Sequence, residues 1–149
     1  MSCMLRIIGE KFDVDNFIKK SKIEPLNIFH KGEPKFKTKP RGQKISHSGL
    51  SIETSKADFN NLSQQIKDTI NYLNKNKLKL KHLSKTKGID FATLDFGIDL
   101  RIDKEKILIQ SELLPNKLLK IAGECGLDIE ISIYPIDLHD LVLKLRTKK

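Results

Sequence analysis

The sequence predicts an α+β fold. Two stretches alternate apolar and polar residues with a period of two. The longer is Ala92, Leu94, Phe96, Ile98, Leu100 and Ile102, and the shorter is Leu127, Ile129, Ile131 and Ile133. A third stretch, Phe59, Leu62, Ile66, Ile70 and Leu73, repeats at steps of three and four, the spacing of one helix face. Half-buried strands and an amphipathic helix in one chain require a sheet with helices packed against it.

The elements follow in order. Met4–Gly9 is an apolar run closed by glycine, which reads as a buried strand. Asp13 is an N-cap for a short helix with Val14, Phe17 and Ile18 on one face. Pro25 ends that region, and Leu26–His30 reads as a second strand. Residues 31–44, with Gly32, Pro34, Pro40 and Gly42, form a polar loop or hairpin tip. Ser48–Thr54 follows as a third strand, and Ser55 with Asp58 reads as a capping box for the long helix. Leu78, Leu80 and Leu83 extend that helix toward Gly88. After the long alternating strand, Asp103–Lys106 reads as a turn and Ile107–Gln110 as a returning strand, a β-hairpin. Pro115 opens a helix carrying Leu118, Ile121, Ala122 and Cys125, Gly126 closes it, and Pro135 stops the last strand.

The order β-α-β-β-α-β-β-α-β predicts a mostly antiparallel sheet with helices on one face. Its first six elements form a ferredoxin-like βαββαβ core, which a further β-α-β unit extends. The expected organisation is one domain over 1–135 and an amphipathic helical tail over 136–149, with Leu138, Leu141, Val142 and Leu145 on one face. A chain of 149 residues buries roughly 68–70% of its unfolded surface and needs no disulfide or metal to fold. Cys3 and Cys125 stand apart and read as buried free thiols of a reducing compartment. Lys11 and Asp13 interrupt the first apolar run too early for a signal peptide, and no apolar run approaches the ~20 residues of a membrane span. The expected location is the cytoplasm.

No phosphate-binding loop, dinucleotide fingerprint, nucleophile elbow or paired-histidine metal motif is present. The expectation is therefore no catalytic residue, no cofactor and no metal. His30, His47, His82 and His139 stand singly; His30 and His47 flank the basic loop and mark a pocket if their strands pair. Such a pocket would make the chain a small-ligand binder or a cryptic enzyme. Asp95, Asp99, Asp103, Asp128 and Glu130 fall opposite the apolar positions of their strands, an acidic sheet face open to a partner or a divalent cation.

Charge is the most localised signal. Lys31, Lys35, Lys37, Lys39, Arg41 and Lys44 give residues 31–44 a net +5 against Glu33. Lys75, Lys77, Lys79, Lys81, Lys85 and Lys87 give residues 75–87 a net +6 with no acid. Together these segments exceed the +9 of the whole chain. Lysine far outnumbers arginine, and isoleucine valine, as an AT-rich coding sequence favours. That bias does not explain why the charge concentrates in two short segments. Clustered lysines suit an acidic protein partner, or weak, salt-dependent and sequence-nonspecific binding of nucleic acid. The scarcity of arginine argues against base reading. Phe36 is the single aromatic residue in either segment, which argues against a stacking platform.

SGLSIET before the long helix, then FATLDFGIDLRI, then LLPNKLLKIAGECGLDIEISIYP resemble the bacterial domain of unknown function 4279 over about residues 3–135. Members often carry Trp where this chain has Leu50, and this chain has no Trp. The resemblance implies a small cytosolic protein-binding module, of a kind suspected in some members to be the immunity protein of a polymorphic toxin system. Its partner would then be a toxin. The resemblance carries over no catalytic residue.

Overall fold

The structure is a computed structural model that describes residues 3–103 and 105–135. The tail helix expected over 136–149 lies outside the described residues. The elements are β1 (Cys3–Gly9), α1 (Val14–Ser21), β2 (Asn27–Phe29), β3 (Ser48–Ser55), α2 (Leu62–Leu80), a 3₁₀ turn (Leu83–Lys85), β4 (Phe91–Asp99), α3 (Asn116–Glu124) and β5 (Asp128–Tyr134).

The five strands form one sheet in the order β2-β3-β1-β4-β5. Neighbours run antiparallel except β4 and β5, which are parallel. The first four strands with α1 and α2 reproduce the ferredoxin-like βαββαβ order, and α3 with β5 extends it by an α-β unit where a β-α-β unit was expected. A parallel neighbour needs a crossover, and α3 is that crossover.

Strand periodicity decides which residues enter the core. Cys3, Leu5 and Ile7 of β1, Leu50 and Ile52 of β3, and Leu94, Phe96 and Ile98 of β4 are all buried. They meet Val14 and Phe17 of α1, Leu62, Ile66, Ile70 and Leu73 of α2, and Leu118, Ile121 and Ala122 of α3 in one cluster, so the three helices share one face. Two polar residues join them. Gln65 and Thr69 of α2 are completely buried, and the Thr69 and Thr54 hydroxyls hydrogen-bond at 2.9 Å. Gln65 Nε2 donates to the carbonyls of Asp58 (3.0 Å) and Gly97 (2.8 Å), fixing the loop before α2 to β4. Cys3 lies beside Thr54 and Thr69, and burial pushes its thiol up to about 11.

Several boundaries differ from the sequence reading. The second strand is three residues long and ends at Phe29. The N-cap of α2 is Asn61, whose Oδ1 accepts from the Gln64 N–H at 3.1 Å. Ser55 instead hydrogen-bonds Asp68, and Phe59 precedes the helix and stacks on Tyr134 with ring centroids 5.0 Å apart. The predicted hairpin does not form. β4 ends at Asp99 and residues 107–110 are not a strand, because β5 occupies the β4 edge that a returning strand would need. Asp103 still turns the chain, accepting the Glu105 and Lys106 N–H groups, and the Asp103 N–H donates to the Ile107 carbonyl at 3.0 Å.

One backbone approach locks the end of the sheet where β1 finishes. A Cβ on Gly9 would overlap the Gly88 carbonyl, and a Cβ on Gly88, which is at φ +85°, would lie 2.3 Å from the Lys11 carbonyl oxygen. The loop leading into β4 is thus pressed onto the turn that leaves β1. Gly9→Ala is expected to lower stability by about 1–3 kcal/mol through overpacking. Gly123→Ala, on a helix with open space around it, should raise stability by about 0.4–1 kcal/mol. Urea unfolding midpoints test both, and an unchanged midpoint for Gly9→Ala would contradict the close approach.

Candidate interaction surface

Helices cover one face of the sheet; the other carries no helix among the described residues and is covered at its far end by Phe59, which lies over Gly97 and stacks on Tyr134. The register sorts the open face into rows. At the end where β1 finishes, Phe29 of β2, Gly49 of β3, Ile8 of β1 and Phe91 of β4 lie side by side. Gly49 has no side chain, so the Phe29 ring lies across it; a Cβ there would sit 2.6 Å from that ring. His47 packs edge-on against Phe29 with centroids 5.6 Å apart. Phe91 is 63% exposed. This row is the apolar end of the open face.

The next rows turn polar and then acidic. Asn27, Ser51, Arg6, Thr93 and Asp128 follow, and beyond them Glu53, Met4, Asp95 and Glu130. Asp95 is buried, because the Arg6 guanidinium covers it and the Ser132 hydroxyl donates to it at 2.6 Å. The predicted acidic stripe is therefore partly neutralised. No group of three or more metal-ligating side chains converges among the described residues.

Both lysine-rich segments emerge at the apolar end. Residues 31–47 continue the β2–β3 hairpin as an irregular arm, held by Gly32 N–H to Ile45 O, Ile45 N–H to Glu33 O and Lys35 N–H to Gln43 O, each 2.8 Å. The arm exposes Lys35, Lys37, Lys39, Arg41 and Lys44, and its Phe36 is 57% exposed. The segment after α2 returns to β4 at the same end and exposes Lys81, Lys85 and Lys87. The β1–α1 turn joins the two. Lys31 Nζ lies 2.7 Å from Glu10 Oε1, and the Glu10 N–H donates to Asp90 Oδ2 at 2.8 Å.

The lysines on α2 point elsewhere. Lys77 pairs with Glu124 of α3. Lys75 and Lys79 line a half-open groove of about 590 Å³ with Glu24, Leu26, Glu53 and Tyr72. Burial, with Glu24 nearby, raises the Tyr72 hydroxyl above its ordinary range. Of the twelve cations in the two segments, Lys31 and Lys77 alone lie within ion-pair distance of a carboxylate among the described residues.

His30 and His47, which the sequence reading set at a possible common pocket, take different partners. Their rings are engaged separately: His47 with Phe29 and the Ser46 hydroxyl, His30 with two carboxylates. His30 Nε2 lies 3.0 Å from Asp15 Oδ2 on α1, and Nδ1 lies 3.2 Å from Glu33 Oε1 in the arm. His30 is a tether for the basic arm. The apolar row is the feature that the sequence reading missed. Its one signal was that Ile7 and Ile8, which point to opposite faces of β1, are both apolar, where a half-buried strand would alternate.

The family model described as Domain of unknown function (DUF4279) matches residues 1–136. The chain belongs to this family. No curated protein and no solved structure matches it. The DUF4279 chain has no helix among the described residues that is long and apolar enough to cross a membrane.

The His30 tether titrates. Hydrogen bonds to the Glu33 carboxylate first and the Asp15 carboxylate second raise its imidazole above 6.5. A raised folded-state pKa means that the charged tether is complete below the ordinary histidine range. It is lost as pH rises through the elevated value. An NMR titration is expected to place His30 above 6.5, and Asp15→Asn with Glu33→Gln should return it to the ordinary value. A wild-type midpoint at or below the ordinary value would rule the tether out.

Proposed function

We propose that this DUF4279 protein is a protein-binding module that docks an acidic partner through the lysine-bearing end of its open sheet face. The observation that carries this reading is the row Phe29, Ile8 and Phe91, set between two segments of exposed lysines. An apolar centre with a charged rim is the anatomy of a protein interface, and exposed aromatic side chains anchor such contacts. The lysines steer an acidic surface toward the row, and the backbone beneath them is held by the Gly9–Gly88 contact and the His30 tether. An immunity protein that occupies a toxin works by this kind of surface, without chemistry of its own.

A second reading has one observation in its favour. Phe36 and Phe91 are both exposed near the lysines, and rings among cations stack single-stranded bases. Against it, Glu53, Asp128 and Glu130 lie further along the same face and repel a phosphate backbone.

The test is affinity capture from the protein's own cells, with and without nuclease. It compares the wild-type chain with Phe91→Ala and with the reversal Lys37→Glu, Lys39→Glu, Lys85→Glu, Lys87→Glu. Lys117→Glu with Lys120→Glu on α3 serves as the charge control. A stoichiometric partner that resists nuclease, survives the α3 control and falls at least tenfold in both surface variants is the expected result. Material that disappears with nuclease would transfer the function to nucleic acid. A partner indifferent to both surface variants would place the docking surface elsewhere.

A further inference from the structure

The sheet has two edges of different kinds. The β2 edge is three residues long. The β5 edge runs for seven residues, and among the described residues no strand pairs with its outer side. Proteins guard such an edge with lysine, proline, a bulge or an inward charge, since unpaired N–H and C=O groups recruit another strand. β5 has no lysine, proline or register shift; its charges are Asp128 and Glu130. Ile133 is 52% exposed on the helix-covered face, and Leu119 of α3 is 47% exposed.

The direction of the backbone groups follows from one hydrogen bond. Leu100 N–H donates to the Tyr134 carbonyl at 2.8 Å, so the main-chain groups of Tyr134 turn toward the β4 side. Alternation along the strand then turns those of Ile129, Ile131 and Ile133 outward. An added antiparallel strand must meet these three residues.

We propose that the occupant of this edge is a second copy of the same strand, paired antiparallel about a two-fold axis at Ile131. In that register Ile131 faces Ile131 of the copy, Ile129 faces Ile133, Glu130 faces Ser132 and Asp128 faces Tyr134. Every outward hydrogen-bonding residue meets another, isoleucine meets isoleucine, and no carboxylate faces a carboxylate. Moving the axis to Glu130 sets the two glutamates opposite each other. Moving it to Ile129 sets Asp128 against Glu130. Moving it to Ser132 shortens the seam and brings Pro135 opposite Ile129. The strand is thus complementary to itself in one full-length register. The product is a symmetric dimer with a continuous sheet, five strands from each copy. This inference is independent of the lysine-bearing end, which lies away from the seam on other strands.

Sedimentation equilibrium of the full chain is expected to give twice the 17.1 kDa monomer mass. Ile131→Pro removes an outward N–H and no bond to β4, so it should sediment as a folded monomer. Residues facing each other in a hydrogen-bonded antiparallel pair have Cα atoms about 5.5 Å apart, within disulfide reach. Ile131→Cys should therefore cross-link the dimer on oxidation, whereas Ile133→Cys, facing Ile129, should not. A monomer at every soluble concentration overturns the proposal. A dimer that Ile131→Cys leaves uncross-linked also overturns it, and this arm holds even if Ile131→Pro does not fold.

Discussion

The contact between Gly9 and Gly88 is the constraint from which much of this structure follows. β1 is the central strand, and its last residue must admit the loop that enters β4 from α2. With no side chain at either glycine, two backbones meet directly, and Phe91 starts its strand beside Ile8. A bulkier residue at either position would lift the loop away. Phe91 and the lysines that precede it would then leave the level of Phe29 and the opposite arm. The geometry of the candidate surface is set by an absence of side chains beneath it.

Charge is distributed on a related logic. Where carboxylates and cations meet on the open face they are drawn together, as Arg6 is to Asp95, and the acid ends up buried. Burying a carboxylate is tolerable because a guanidinium and a hydroxyl occupy its oxygens. At the apolar end no comparable number of acids is available, and the cations stay in solvent. Exposed ion pairs there would add little stability, whereas free lysines retain their long-range field.

The fold was legible where one period governed a segment. Ala92–Ile98, the α2 stripe and Ile129–Ile133 are placed by alternation or helical spacing. The misread segments are those in which two forces give one pattern. Leu100, Ile102 and Ile107–Ile109 continue the alternation of β4, yet the neighbouring edge is taken by β5 from farther along the chain. Pattern alone cannot see that competition. Phe59 matches the helical step of α2 by coincidence, and it is drawn instead to Tyr134 at the sheet end. Gln65 and Thr69 look like solvent positions but are wholly buried, because backbone carbonyls and a facing hydroxyl await them across the sheet. Of the candidate surface, the lysines were visible in composition, but Phe29, Ile8 and Phe91 became neighbours only through the strand register. His30 and His47, close in the sequence pattern, are separated by their own partners.

Cys3 gives the molecule a built-in clock. Its thiol sits on the central strand, completely buried and raised to about 11, so the reactive thiolate is withheld from any reagent in water. Both flanking strands shield it, and exposing it requires parting β1 from a neighbour or lifting α2 from the sheet. The labelling rate of this one sulfur therefore counts the rare moments when β1 parts from a neighbour or α2 lifts from the sheet. Cys125, at the end of α3, keeps a separate and more local time. The ratio of the two rates distinguishes fraying of a single helix from loss of the fold.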